Sequence, residues 1–327
     1  MTALVQVEDL VKNYARHSTL IGKTQYFNAV DGVSLSIQKG ETVGLLGESG
    51  CGKSTLGRMM VGLEEPTAGS VLFSGKNIYT LRFEQLRLLH KDMQMIFQNN
   101  TTIFNPYFTI GSSIMEVLFN FAAPSSKEAL KLVMEMLEKV GLDEECFYRY
   151  PDELSGGQRQ RANIARAMVL HPAFVVCDEP VSSLDFSIRK QILNLFKELQ
   201  RSFDVTMLFI THDITTVKYV CDRLIIMYLG KVVESLDSIE DLDERISHPY
   251  ARMLFQSVPA TDPEKRRDPQ KRLTEHRNGG DLSQTMMNGD GCRFYERCRL
   301  RMPQCERETP GLRRFAPGHF IACHCIR

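Results

Sequence analysis

Residues Gly47 to Ser54 read GESGCGKS and follow a short apolar run, Val43 to Leu46. A glycine-rich loop after such a strand-like run turns its backbone N–H groups inward around phosphate oxygens. Lys53 is placed to reach the β- and γ-phosphates of a nucleotide, and Ser54 to put its hydroxyl on a magnesium ion. The stretch therefore predicts a nucleotide-phosphate site, with these residues: Gly47, Glu48, Ser49, Gly50, Cys51, Gly52, Lys53, Ser54 and, by the α-phosphate, Thr55.

Two further apolar runs end in polar residues. Phe174 to Cys177 leads into Asp178 and Glu179, and Val205 to Ile210 leads into Thr-His212-Asp. Parallel strands bring their carboxyl ends to one edge of a sheet, so these side chains are expected beside the phosphate loop. Asp178 is suited to contact a magnesium ion. Glu179 is suited to act as the base that orients and deprotonates water, and His212 is suited to sense the γ-phosphate. The alternative interpretations are that Asp178 and Glu179 form an acidic pair on the surface, and that His212 is an ordinary polar residue.

A second motif, LSGGQRQR, runs from Leu154 to Arg161. Ser155 can cap a helix that continues to Met168, and the N–H groups at that helix start form an anion site. Together with the phosphate loop, this motif resembles the ATP-binding cassette of ABC transporters over about the first 260 residues.

The resemblance implies an α/β fold of the ABC-type P-loop NTPase class, with a mixed core sheet, an antiparallel β subdomain and a helical subdomain. Gln98 matches the glutamine that touches magnesium and the attacking water and connects to membrane subunits. Asp185, in Ser-Leu-Asp, matches a loop that crosses the dimer interface. The residues that would grip the γ-phosphate held by an opposite subunit are Ser155, Gly156, Gly157 and Gln158.

The adenine ring is expected to stack on an aromatic side chain near the amino terminus. Tyr14 matches the family position, and Val30 would flank the same ring. Tyr26 and Phe27 are alternatives, because the stretch from His17 to Asn28 lengthens this segment. Simple aromatic packing on the antiparallel sheet is the remaining interpretation.

Composition sets the broad class. The 327 residues carry 40 basic and 40 acidic side chains, so the formal net charge of zero does not favour nucleic acid as a partner. No apolar stretch approaches the roughly 20 residues of a membrane-spanning helix, and the amino terminus does not resemble a signal peptide. We therefore expect a cytosolic protein that docks on separate membrane subunits at the cytoplasmic face of the cell membrane.

Patterning along the chain predicts three parts: a cassette over residues 1–258, a polar linker over 259–290 and a cysteine-rich extension over 291–327. Alternation at Val33, Leu35 and Ile37 predicts a half-exposed antiparallel sheet. A helical stripe predicts core or packing positions, which are Leu130, Val133, Met134, Leu137 and Val140.

Five of the nine cysteines lie in the last 36 residues. A cytosolic protein does not normally hold clustered thiols as structural disulfides, and so short a segment needs a bound centre for stability. Gaps of five and six residues suit an iron–sulfur cluster better than a zinc knuckle. The extension also carries eight arginines and three glutamates, and these cations would stabilise an anionic cluster unless they simply form a solvated basic tail.

The stretch GCRFYERCRLRMPQC followed by ETPGL resembles the C-terminal extension of oligopeptide and dipeptide importer ATPases, a subfamily that also serves nickel uptake. The resemblance implies an ATP-hydrolysing importer subunit that pairs head to tail with a second ATPase subunit, commonly a paralogue. Two transmembrane permease subunits and an extracytoplasmic substrate-binding protein would complete the complex. It also implies a 4Fe-4S cluster on Cys292, Cys298, Cys305 and Cys323, with Cys325 as an extra thiol.

The alternatives are a nickel or metallophore importer of the same subfamily, a soluble ABC ATPase acting on ribosomes or DNA, and an exporter motor. The chain has neither tandem cassettes nor a long coiled-coil insertion, which disfavours the soluble class, and an exporter has no obvious use for the cysteines. Among the other cysteines, Cys146, Cys177 and Cys221 are expected to be packing residues. Cys51 lies at a helix start that should lower its thiol pKa.

Overall fold

The computed structural model describes residues 3–16, 25–98, 103–122, 124–257 and 290–326. The predicted linker, 259–290, lies outside the described residues except for Asp290. The strands are β1 Val5–Arg16, β2 Gln25–Ile37, β3 Thr42–Leu46, β4 Ala68–Phe73, β5 Lys76–Asn77, β6 Met93–Ile96, β7 Phe174–Asp178, β8 Thr206–Thr211, β9 Arg223–Tyr228, β10 Lys231–Leu236, β11 Arg313–Ala316 and β12 His319–Ile321. The helices are α1 Lys53–Met60, α2 Phe83–Leu89, α3 Ile110–Phe121, α4 Ser126–Lys139, α5 Gly156–Met168, α6 Phe186–Phe203, α7 Ile214–Val220, α8 Leu242–Arg245, α9 Pro249–Ser257 and α10 Pro303–Arg307.

Within the described residues, the main sheet has eight strands in the order β11-β12-β10-β9-β3-β8-β7-β6. The five strands from β9 to β6 run parallel, and every residue of β3, β7 and β8 is buried. Continuous apolar strands of this kind need cover on both faces. The carboxyl ends of β3, β7 and β8 therefore meet at one edge, as the apolar runs predicted.

The second sheet is antiparallel, in the order β2-β1-β4-β5. Val33 and Ile37 are buried and Leu35 is partly buried against the same core, whereas Ser34 is exposed, which agrees with the predicted alternation. This sheet shares an apolar core with helix α1, whose Leu56 and Met59 have no exposed surface. The core fixes α1, and with it the phosphate loop, against the antiparallel sheet.

Helices α3, α4 and α5 form the predicted helical part. Helix α4 begins at a capping box, in which Ser125 and Glu128 each bond the other's backbone N–H. Val133, Leu137 and Val140 are buried as predicted, and Met134 is partly buried. Leu130 is 37% exposed, so it lies at the margin of the apolar stripe and not in the core.

The cysteine-rich extension packs directly on the cassette, which the sequence did not indicate. Strand β12 pairs antiparallel with β10, with Glu234 opposite Ile321, and β11 pairs with β12. Phe294 is buried against the rings of Tyr228 and Tyr250. The extension thus continues the main sheet and shares its core.

No helix in the described part of the chain has the length and apolar character required to cross a bilayer.

Candidate nucleotide site

Two glycines allow the phosphate loop to lie close against neighbouring strands. Gly52 has a φ of 104°, and a Cβ there would collide with the carbonyl oxygen of Ala29. A Cβ on Gly47 would collide with the carbonyl oxygen of Met227. Because any side chain would push the loop off these strands, the two glycines hold its backbone N–H groups in place.

Lys53 and Ser54 begin helix α1 at the positions that the motif predicted. Lys53 is 4% exposed, and its Nζ donates to the carbonyl oxygens of Gly47 and Glu48, both at 2.8 Å. Ser54 Oγ donates to Asp178 Oδ1 at 2.9 Å. Burial raises the pKa of Asp178, and the hydrogen bond from Ser54 opposes that rise. A hydroxyl and a carboxylate side by side are hard oxygen ligands that suit Mg²⁺.

Glu179 lies between two polar side chains from neighbouring segments. Gln98 Nε2 donates to Glu179 Oε2 at 3.0 Å, and His212 Nδ1 lies 3.1 Å from Glu179 Oε1. The structure therefore brings together the three residues that were predicted to act in catalysis.

The backbone at Glu179 is strained, with a φ of 45° that non-glycine residues rarely adopt. Its N–H donates to the carbonyl of Ile210, and its own carbonyl accepts from the N–H and the hydroxyl of Ser182. Strain of this kind collects at functional sites, where surrounding bonds hold the residue in place. Here it aims the carboxylate of Glu179 at Gln98 and His212.

The start of helix α5 has the geometry of an anion site. Ser155 Oγ accepts from the N–H of Gln158, and Gln158 Oε1 accepts from the N–H of Ser155, which forms a capping box. Ser155 and Gly156 are exposed, and a Cβ on Gly156 would meet no atom within 4 Å. A Cβ on Gly157 would instead lie 2.9 Å from Ile188, so that glycine is needed for packing. The helix start therefore presents its N–H groups to an open surface.

Asp185 immediately precedes helix α6 and is exposed, and its side chain makes no capping bond. Its neighbour Phe186 is 84% exposed. An apolar ring left this open beside a carboxylate is consistent with the predicted interface loop.

The hydroxyl of Tyr14 bonds to Glu64, which follows helix α1, and also interacts with Thr55 on the helix itself. Its ring lies 5.6 Å from that of Phe27, whereas Tyr26 is 59% exposed. Val30 has no exposed surface and belongs to the core of the antiparallel sheet. The prediction that Val30 flanks a nucleotide is therefore not supported, because it is packed inward.

Cys51 does not have the predicted low thiol pKa. It is 2% exposed, and burial raises its pKa despite the nearby ammonium of Lys53. The cost of burying a thiolate outweighs the helix start and the lysine. The three packing cysteines, Cys146, Cys177 and Cys221, are buried as predicted.

Two residues that sequence reasoning missed contact the phosphate loop. The N–H of Glu48 donates to the hydroxyl of Tyr250 at 2.9 Å, and the Glu48 carboxylate pairs with Arg297. Tyr250 lies 202 residues and Arg297 249 residues along the chain from Glu48. No local pattern relates positions so far apart.

The thiols of the extension lie near one another but do not converge on one point. Cys305 and Cys325 have sulfur atoms 3.8 Å apart, and burial raises the pKa of Cys292 to about 11. Across the described residues, no three His, Cys, Asp or Glu side chains are grouped so that they could hold a metal ion. Beside Cys292, Arg293 is mostly buried, and its Nε and Nη1 have no hydrogen-bond partner.

Comparison with known proteins places this geometry in a family. The model described as "ABC transporter" matches residues 30–182, and the one described as "Oligopeptide/dipeptide transporter, C-terminal region" matches residues 233–305. Oligopeptide transport ATP-binding protein AppF of Bacillus subtilis is 42% identical over 323 residues, which are 98% of this chain and 97% of AppF.

Solved structures agree with the sequence relatives. A dimeric ATP-binding cassette, MJ0796 in a post-hydrolysis state with ADP and Pi, is 29% identical with a TM-score of 0.62, covering 70% of this chain and 96% of MJ0796. The cbiO1 protein of Clostridium perfringens, part of an ABC transporter complex, is 28% identical with a TM-score of 0.62, covering 74% and 91% of the two chains. The chain is an ATPase and belongs to the family of peptide-transport ATP-binding proteins of ABC transporters.

Proposed function

We propose that this chain is the ATP-hydrolysing motor of an ABC importer for oligopeptides or dipeptides. The observation that carries the proposal is the position of Glu179, which is held between Gln98 and His212 at the sheet edge where Ser54 meets Asp178. A base, its orienting partners and a magnesium site thus lie next to a phosphate loop, as phosphoryl transfer to water requires.

Each residue has a separate task in that site. Lys53, whose Nζ is positioned by the carbonyl oxygens of Gly47 and Glu48, reaches the β- and γ-phosphates, and the loop N–H groups bind the remaining phosphate charge. Ser54 and Asp178 would hold Mg²⁺, which would neutralise charge on the phosphates. Glu179 accepts a proton from water that Gln98 and His212 help to position. Tyr14, which contacts Thr55 on α1, stacks on the adenine.

We propose that two such subunits act head to tail, and the partner in this subfamily is commonly a paralogue. The exposed start of helix α5, at Ser155 and Gly156, has the geometry of an anion site and lies in a different segment from the phosphate loop. It serves the nucleotide held by the opposite subunit, and Asp185 lies at the interface between them. ATP binding therefore favours closure, and hydrolysis releases it.

A groove beside Gln98 provides a place for the membrane subunits. A cavity of about 300 Å³ lies between strand β6 and helices α3 and α5, and its lining includes Met95, Phe97, Val117, Phe121 and Arg166. The groove joins the segment that carries Gln98 to the helical part. A permease segment seated there at the cytoplasmic face of the membrane would move with the γ-phosphate contacts.

The cargo assignment rests on the match to the oligopeptide/dipeptide C-terminal region and on the similarity to AppF. Nickel or metallophore uptake is the second candidate, and nucleic acid is not expected as a partner. Purification of the complex through this chain should yield a second ATPase, two permeases and a binding protein, with ATPase activity in vesicles stimulated by peptides. Stimulation by a nickel chelate and not by peptides would contradict the peptide assignment.

We also propose a 4Fe-4S cluster on Cys292, Cys298, Cys305 and Cys323. What supports the proposal is the set of four thiols in the extension, with gaps of five and six residues before the more distant Cys323. Arg293 follows Cys292 in the chain, and its unpaired Nε and Nη1 would add positive charge next to the anionic cluster.

Anaerobically purified protein should be brown, absorb broadly near 400 nm and contain about four irons per chain, as thiolate-ligated 4Fe-4S clusters do. Replacing any one of the four cysteines with serine should remove the colour, whereas Cys325→Ser should keep it. The sulfur atoms of Cys325 and Cys305 are 3.8 Å apart. Comparing Cys323→Ser with Cys325→Ser therefore also tests which of these two terminal thiols is a ligand. A colourless protein with one zinc per chain would overturn the cluster, and a metal-free anaerobic protein would exclude both centres.

A further inference from the structure

An ion pair between Arg297 and Glu48 connects the extension to the phosphate loop. Glu48 is the second residue of the loop, and Arg297 ends the short helical turn Tyr295–Arg297 beside Cys298. Arg297 Nη1 and Nη2 donate to Glu48 Oε2 and Oε1, both at 2.9 Å. The two side chains are 20% and 23% exposed. A bidentate pair of this kind fixes orientation as well as distance.

Aromatic rings hold Arg297 in that position. Its guanidinium lies 5.7 Å from the ring centres of both Tyr228 and Phe294, and its Nη1 reaches the Tyr228 hydroxyl at 3.4 Å. The hydroxyl of the fully buried Tyr250 accepts from the backbone N–H of Glu48. Glu48 is therefore held at its side chain by the extension and at its backbone by helix α9.

Glu48, which Arg297 holds by its side chain, also contacts Lys53. The carbonyl oxygen of Glu48 is one of the two acceptors that hold Lys53 Nζ, at 2.8 Å. A shift of Glu48 would move that carbonyl and rotate the neighbouring loop N–H groups. Small displacements of phosphate-binding groups weaken binding strongly, because the donors must all meet the same oxygen atoms.

We propose that Arg297 is a positioning residue for the phosphate loop, so that ATP affinity depends on the cysteine-rich extension. Arg297 touches no phosphate itself and acts through Glu48. The pairing also works in reverse, because a nucleotide that orders the loop must stabilise the turn that carries Arg297 by the same free energy. The proposal rests on the assignment of this loop as the nucleotide site.

The test compares Arg297→Gln, Glu48→Gln and the double variant in ATP turnover. Each single change should raise KM for ATP roughly tenfold, with kcat at saturating ATP nearly unchanged, and the double variant should be no worse than either single one, as expected for partners in one network. Arg301→Gln is the matched control, because Arg301 lies in the same segment and pairs with the exposed Glu296 and the ring of Tyr295 rather than with the phosphate loop.

Two outcomes would overturn the proposal that Arg297 positions the phosphate loop. One is an Arg297→Gln protein with the KM of the natural chain, and the other is a double variant in which the two effects multiply. In either case normal turnover would leave the ATPase assignment standing, so the two proposals fail separately. Loss of kcat in Arg297→Gln and in Glu48→Gln, with Arg301→Gln intact, would also contradict a role limited to positioning the loop for ATP.

Hydrogen exchange gives a second measurement that does not depend on variants of the extension. A non-hydrolysable ATP analogue should slow exchange at residues 292–299 of the natural chain, and Glu48→Gln should abolish that protection while leaving the extension's sequence intact. Equal exchange with and without the analogue in the natural chain would contradict the coupling, even if Arg297→Gln fails to fold.

Discussion

Replacing Glu179 with glutamine should reduce ATP hydrolysis by about three orders of magnitude, in the middle of the range of about 10²- to 10⁴-fold that a general base contributes. The amide keeps the size of the carboxylate and can still contact Gln98 and His212, but it cannot accept a proton from water. Lys53, Ser54 and the loop N–H groups are untouched, so ATP binding should persist. The variant should therefore accumulate as an ATP-bound dimer, which size-exclusion chromatography with ATP can detect.

Glu198→Gln is the control, because Glu198 is an exposed carboxylate on helix α6. It should leave turnover within about twofold of the natural rate, since surface substitutions away from special features have small effects. Lys53→Ala provides the opposite contrast, because it should lose tight nucleotide binding and the ATP-dependent dimer together. Turnover by Glu179→Gln within severalfold of the natural chain would remove Glu179 from the role of base.

The positions of Glu179 and His212 were predictable because each follows an apolar run, whereas Gln98 was predicted from the family resemblance. Strands β3, β7 and β8 are buried on both faces, so their sequences read as continuous apolar stretches. Parallel pairing then places the residues after each strand at one edge, which is how Asp178, Glu179 and His212 come together. The phosphate loop and the helix start at Ser155 were predictable for the same reason: local chemistry determines them.

The errors and omissions arose where a residue's environment is made by distant segments. Cys51 was expected to ionise easily from its place at a helix start, but the packing around the loop buries it and raises its pKa. Val30 was placed beside the nucleotide by position, whereas the antiparallel core encloses it. The pair between Glu48 and Arg297 joins two side chains that no periodicity relates.

The attachment of the extension depends on a second contact of this kind, at Glu234. This fully buried carboxylate on β10 accepts from the N–H of Ser247 at 2.8 Å, the N–H of His248 at 3.1 Å and Nε2 of His319 at 2.7 Å. His319 belongs to β12 and is 3% exposed. One side chain therefore ties the segment before α9, strand β10 and the terminal hairpin to each other.

Glu234→Ala should destabilise the protein by about 3 kcal/mol, since each buried donor left without its acceptor costs about 1–3 kcal/mol. The change leaves His319 and two backbone N–H groups buried without an acceptor. His319→Ala should cost less, because Glu234 keeps its two backbone donors. Glu135→Ala, which breaks an exposed pair with Lys131 on α4, should cost under about 1 kcal/mol. Urea unfolding of the four proteins gives the comparison.

The same variant decides whether the extension is an appendage or part of the cassette. If β12 were only loosely docked, Glu234→Ala would release the hairpin, and the unfolding midpoint of the cassette would barely move. Strand β12 pairs with β10 of the main sheet, and the ring of Phe294 packs in the core against Tyr228 and Tyr250. We therefore expect one cooperative unfolding transition, at a lower urea concentration than that of the natural chain. Two separate transitions, with the upper one at the natural midpoint, would show that the extension folds independently and would contradict this structural argument.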